Sequence, residues 1–89
     1  MTEQQVRTML VEALDAANVF AMREKQLAEG FLAGIAEVPL DTLEMDSLAE
    51  MELCIAIEIH AGVSVVPDQL RQIGSLQRLA MLVHGERAP

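Results

Sequence analysis

Tryptophan and tyrosine are absent from this 89-residue chain, and Phe20 and Phe31 are its only aromatic residues. Apolar residues still make up 52% of it, so a core can form, but it must be built from Leu, Ile, Val, Met and Ala. Sheets draw on aromatic and β-branched residues in alternation. Little of that pattern is present, and the composition predicts packed helices. A single cysteine, Cys54, excludes an internal disulfide and any cysteine-based metal site. Cations are scarce: no Lys or Arg occurs from Gln26 to Leu70. Without a basic footprint for phosphate, nucleic acid is excluded as a partner, and so are anionic membrane surfaces. No apolar run approaches the roughly 18 residues of a membrane span. The start, Met1-Thr-Glu-Gln, lacks a basic segment leading into an apolar one. Neither a signal nor a transit peptide is predicted, and the chain is expected to be cytoplasmic.

What the chain has instead is negative charge, fourteen acids against six bases, for a net charge of -8. Glu29, Glu37, Asp41, Glu44, Asp46, Glu50, Glu52, Glu58 and Asp68 all fall in the cation-free stretch. A surface of one sign repels copies of itself, which predicts a monomer, and steers basic partners toward it. General solubility is the plainer account of such charge; its clustering around one segment favours docking. The length suits one small domain, residues 1–89, burying about two thirds of the surface its unfolded chain exposes.

Helical spacing organises most of the chain. Thr2 can cap a first helix bearing Val6, Met9, Leu10, Ala13, Leu14 and Ala17 on one face. Apolar residues continue through Phe20, Leu27, Phe31 and Ile35. Either the first helix is long, or a second helical piece follows a break near Asn18. Gly30, Gly34 and Pro39 mark an irregular connection reaching about Met45. Asp46 and Ser47 are both good N-caps, and Glu50 stands three positions after Ser47, as a capping box requires. The helix they open runs through Leu48, Met51, Leu53, Ile55, Ala56, Ile57 and Ile59 to a stop at Gly62. Val63-Ser-Val-Val66 reads as a linker packing its valines. Pro67 and Asp68 open a short helical turn through Leu70 and Ile73. Ser75 caps a last helix with Leu76, Leu79, Ala80, Leu82 and Val83 inward, ending before Gly85 and Pro89. The fold class expected is all-α, a small four-helix bundle of three longer helices and one short one.

The helix after Ser47 is too apolar for a single buried stripe. Leu53, Ala56 and Ile57 form one face with Cys54, while Leu48, Met51, Ile55 and Ile59 recur at three- and four-residue spacing on another. A small bundle can bury one such face well. The second is expected to stay partly exposed, rimmed by Glu44, Glu50, Glu52 and Glu58, as a recognition surface; the alternative is that both faces are core. Ser47 lies where unpaired backbone N–H groups and the positive end of the helix dipole favour a phosphate ester. By capping rules alone it is a helix start.

From Leu43 to Val83 the chain resembles the acyl carrier protein family. Asp46-Ser47-Leu48 matches the family's attachment motif, Met51-Glu52-Leu53 its hydrophobic-Glu-Leu step, and Ala56-Ile57-Glu58 its Ala-Leu-Glu. Gly62 to Asp68 resembles the approach to the family's short third helix, and Ile73-Gly-Ser-Leu-Gln-Arg-Leu79 the start of its last. The resemblance covers roughly half the chain without a gap. It departs at Glu44, where the family usually has Gly, at Ala49, where an acid is frequent, and in a longer connection before Asp46.

The resemblance implies a protein that performs no catalysis itself. A phosphopantetheinyl transferase would move 4'-phosphopantetheine from coenzyme A to the Ser47 hydroxyl, with Asp46 beside it, and the arm's thiol would hold acyl or aminoacyl groups as thioesters. Leu48, Met51 and Ile55 would be apolar contacts, and Glu44, Glu50, Glu52 and Glu58 charged ones, for acyltransferase, ketosynthase or adenylating enzymes with basic patches. Working in trans, such a carrier fits a polyketide or hybrid secondary-metabolite pathway, general fatty-acid synthesis, or aminoacyl and D-alanyl transfer; the departures favour the first. The rival reading is a helical interaction module without a prosthetic group.

Little else in the sequence points to chemistry. Cys54 sits in an apolar run with no His within a turn and reads as core. His60 and His84 lack a ligand cluster, so no metal is expected. Most of the six methionines read as gap-fillers, with Met45 and Met51 kept as contact candidates. No Gly-rich phosphate loop, Ser-x-x-Lys or Gly-x-Ser-x-Gly pattern is present.

Overall fold

Thr2 opens the first helix as the sequence predicts. In the computed structural model, which describes residues 1–87, its hydroxyl accepts from Gln5 N and Gln5 Oε1 accepts from Thr2 N. That reciprocal pair satisfies two donors the first turn would leave open. Helix α1 spans Glu3–Ala16 and turns Val6, Met9, Leu10 and Leu14 inward. Beyond Ala16 the chain breaks near Asn18 rather than continuing as one long helix. Asn18 adopts a left-handed backbone, φ 62°, which asparagine tolerates better than most residues. A 3₁₀ turn, Phe20–Arg23, comes next, and then helix α2, Lys25–Leu32, capped by the Glu24 carboxylate on Gln26 N and Leu27 N.

Phe31 is fully buried, whereas Phe20 and Ile35, on the same expected stripe, are exposed. The break rotates the periodicity, so the earlier spacing no longer specifies one face. Gly30 lies inside α2 rather than in the connection. A Cβ there would come within 3.0 Å of the Ala36 Cβ, where the returning chain crosses the helix. The connection passes through a second 3₁₀ turn, Leu40–Leu43, and pairs with the far end of the chain. Leu40 N donates to Gly74 O and Leu76 N to Val38 O.

Helix α3 spans Ser47–Ala61 and ends at Gly62 in the left-handed conformation. Val63 and Val65 pack inward while Val66 stays exposed, and no strand forms among the described residues. Helix α4, Pro67–Ile73, begins with proline at its first turn, and Val66 N donates to Gln69 Oε1. Ser75 Oγ accepts from Arg78 N to start α5, Leu76–Arg87. That helix continues through Gly85 instead of stopping before it, since a lone glycine costs a helix only about 1 kcal/mol. Leu76, Leu79, Ala80 and Val83 are buried; Leu82, expected inward, is exposed. Pro89 lies outside the described residues.

The described chain is thus all-helical, with α1, α3, α4 and α5 in the expected order and α2 as a fifth helix. Its radius of gyration is 11.6 Å, close to the ~12 Å of a compact globule this long. Helix α1 packs against α3 and α5 around one aliphatic cluster. Spacing did not reveal that Arg7 is buried with them. Its guanidinium donates to Phe31 O at 2.9 Å and Gln77 Oε1 at 2.5 Å, reaches Glu3 Oε1 at 3.4 Å, and lies 5.1 Å from the Phe31 ring centroid. Those partners offset the cost of taking a cation out of water, and they tie α1 to α2 and α5.

Candidate functional site

The start of α3 is set by Asp46 alone. Its Oδ1 accepts from Ala49 N at 2.8 Å, so Asp46 is the N-cap and Ser47 the first residue of the helix. The capping box expected between Ser47 and Glu50 is not formed. With the cap one residue earlier, the reciprocal position falls on Ala49, which has no acceptor. This shift leaves Ser47 exposed, its hydroxyl without a hydrogen bond among the described residues. The backbone N–H groups of Ser47 and Leu48 lie in the first turn, where a helix has no internal partners for its donors. An accessible hydroxyl beside such donors fits a phosphate ester in its requirements for access and charge.

The turn leading into Asp46 is strained. Glu44 has φ 53° and ψ 41°, a left-handed conformation that costs a side-chain-bearing residue roughly 1–2 kcal/mol. Two clefts flank the serine. One, of about 470 Å³, lies between the connection and α4, with Leu40, Met45 and Leu70 below and Asp41, Glu44, Glu50 and Arg71 at its mouth. The other, of about 400 Å³, lies between the Phe20 turn and α3, lined by Val19, Phe20, Met45, Asp46, Leu48 and Glu52 among others. Met45, half-buried, forms a wall of both.

Along α3 the two apolar faces separate, although Ala56, expected on the inner one, is only half-buried. Ala49, Leu53, Cys54, Ile57 and Ala61 are buried. Leu48, Met51, Ile55 and Ile59 are between 51% and 71% exposed. At ~100° per residue the four outward side chains fall within about 80° of the helix circumference. Glu52 and Glu58, both exposed, flank that arc, about 20° beyond either edge. Glu50 does not join this rim. Its position points to the opposite side, its side chain is only 14% exposed, and its Oε1 is 3.2 Å from Arg71 Nη2. Arg71 also pairs with Asp68 at 2.7 Å, so α3 and α4 are joined across the first cleft by an ion network.

Cys54, one turn after Glu50, is buried, and burial pushes its thiol pKa up, with the Glu50 carboxylate adding to the shift. The thiol is thereby less nucleophilic, in keeping with a core role. Among the described residues no His, Cys, Asp and Glu cluster could hold a metal ion, and no helix is long and apolar enough to cross a membrane. No family model, no curated protein and no solved structure matches this chain.

Proposed function

We propose that this protein is an acyl carrier: a four-helix carrier bundle of α1, α3, α4 and α5, with α2 added, that bears 4'-phosphopantetheine on Ser47. The single observation that supports the reading most is the exposed, unbonded Ser47 hydroxyl at the first turn of α3, inside the Asp46-Ser47-Leu48 motif. Ser47 Oγ would hold the arm as a phosphodiester: a phosphopantetheinyl transferase would join Oγ to the β-phosphorus of coenzyme A, breaking the pyrophosphate bond, with 3',5'-ADP and the hydroxyl proton leaving. When bound, the arm supplies a terminal thiol on which acyl or aminoacyl groups travel as thioesters. Asp46 fixes the helix start and so the direction in which Ser47 points. Leu48, Met51 and Ile55 give partners an apolar contact, and Glu44, Glu52 and Glu58 steer basic enzyme surfaces toward it. Glu50 acts differently from the other acids, holding α4 to α3 through Arg71. The setting is secondary metabolism of the polyketide or hybrid kind, supported by Glu44 where related carriers usually have glycine.

Intact-mass measurement after incubation with coenzyme A and a promiscuous phosphopantetheinyl transferase tests this. Wild type gains the mass of one phosphopantetheinyl group and Ser47→Ala gains none. An unmodified wild type, or a modified Ser47→Ala, overturns the assignment. The exposed stripe on α3 also supports a second reading, a helical interaction module without an arm, which predicts that unmodified wild type.

A further inference from the structure

One of the two aromatic residues is spent on the surface. Phe31 fills the core, while Phe20 is 65% exposed. The Phe20 ring is held in place: the Arg23 guanidinium lies 4.6 Å from its centroid, and Arg23 Nε donates to Asp15 Oδ1 at 2.6 Å. A fixed aromatic loses little conformational freedom when a partner covers it, which makes it a good anchor. It forms a wall of the cleft beside Asp46 and Leu48. That cleft shares Ala17 and Glu52 with a larger trough of about 620 Å³ between α1 and α3. The trough has an apolar floor of Met9, Ala13, Ala17 and Ala56. On α3 the trough is lined by Glu52, Ala56 and His60, and cleft and trough together run along α3 from Leu48 to His60 for about 18 Å, some three helical turns.

Charge selects the occupant. Glu12 and Glu52 stand on opposite rims of the trough, and Glu44 and Asp46 at its cleft end. Against these four carboxylates stand His60 and the amino terminus of Met1. Arg23 adds no free charge, because Asp15 compensates it. We infer that the trough between α1 and α3, together with the cleft beside Phe20, receives an amphipathic, basic helix of a partner protein, about three turns long, with an apolar side chain packed on Phe20. This surface meets the outward stripe only at Leu48 and the flanking Glu52, lying to one side of Met51, Ile55 and Ile59, and it needs no prosthetic group.

The probe is a synthetic helical peptide of lysine and leucine with one tryptophan on its apolar face. The protein has no tryptophan or tyrosine, so peptide fluorescence reads binding against a dark background. Unmodified wild type shifts the emission to the blue, saturably, and the affinity falls with added salt. Phe20→Ser weakens binding roughly tenfold with unchanged far-UV circular dichroism, and Phe20→Tyr restores it. Glu12→Lys, on α1 and away from the stripe, weakens binding about threefold at low salt. Ile59→Ser, on the stripe, leaves it unchanged. A wild type that does not bind, Phe20→Ser or Glu12→Lys proteins that bind as wild type does, or an Ile59→Ser loss equal to that of Phe20→Ser each overturn the inference. Because the assay uses the unmodified chain, its outcome is independent of whether Ser47 accepts an arm.

Discussion

The two faces of α3 are made of the same kind of residue and do opposite things. Leu53 and Ile57 are wholly buried between α1 and the other helices, while Leu48, Met51, Ile55 and Ile59 stand in solvent. Composition does not distinguish them; angular position does. The inward arc has α1 and α5 to pack against, and no described element covers the outward one. Apolar surface left in water on a helix already anchored by its other face adds nothing to the fold. An exposed apolar arc between Glu52 and Glu58 has the character of a recognition surface, the role proposed for it above.

The sharpest way to break this comparison is to truncate one residue on each face. Leu53→Ala should destabilise the protein by about 2–5 kcal/mol, through lost burial and the cavity left behind. Ile55→Ala, two positions away, should stay within about 0.5 kcal/mol of wild type, because it removes an exposed side chain and alanine is the better helix former. Urea unfolding followed at 222 nm measures both. Equal losses would mean that the outward stripe is covered in solution.

A subtler test lies at the turn before Ser47. Glu44 belongs with the outward acids, yet its left-handed backbone works against the fold. Glu44→Gly should stabilise the protein by about 1 kcal/mol, since glycine adopts φ near 53° without a Cβ penalty, offset in part by its freer unfolded chain. If the same variant binds basic partners more weakly, the strain and the charge belong to recognition. A loss of stability would show that the carboxylate has a structural role instead.

Much of the fold was legible because local signals agreed with the packing. Thr2, Gly62, Pro67 and Ser75 mark helix boundaries, and all four act as expected. The two-faced nature of α3 was likewise readable from three- and four-residue spacing. Errors arose where tertiary structure set the outcome. Phe20 and Ile35 continued a helical stripe by spacing, but the left-handed Asn18 resets the phase before Phe20, and Ile35 lies past the end of α2, after the left-handed Gly34. Arg7 gave no sign of burial, since its partners, Phe31 O and Gln77, are far away in sequence. Glu50 read as one more rim acid until its angular position and the Arg71 guanidinium placed it on the inner side. The Asp46-Ser47-Leu48 motif was legible in the sequence; the trough was not, because it forms only when α1 and α3 come together.

Cys54 sits on the seam between the two faces and gives the smallest and most specific test. Burial and then the Glu50 carboxylate both raise its thiol pKa. The folded protein therefore keeps its proton at a pH where the unfolded chain has released it. Linkage then requires this contribution to be complete below the unfolded thiol's ordinary value and to be lost as the pH rises through the higher folded value. Wild type should lose stability over that alkaline range more steeply than Cys54→Ala. At neutral pH its thiol should react with a disulfide reagent far more slowly than in urea. Glu50→Gln removes the second of the two causes and one partner of Arg71, so native labelling should quicken while stability changes by under about 1 kcal/mol. If labelling of native Cys54 matched that in urea, the inner face of α3 would be open, and the contrast between its two faces would fail.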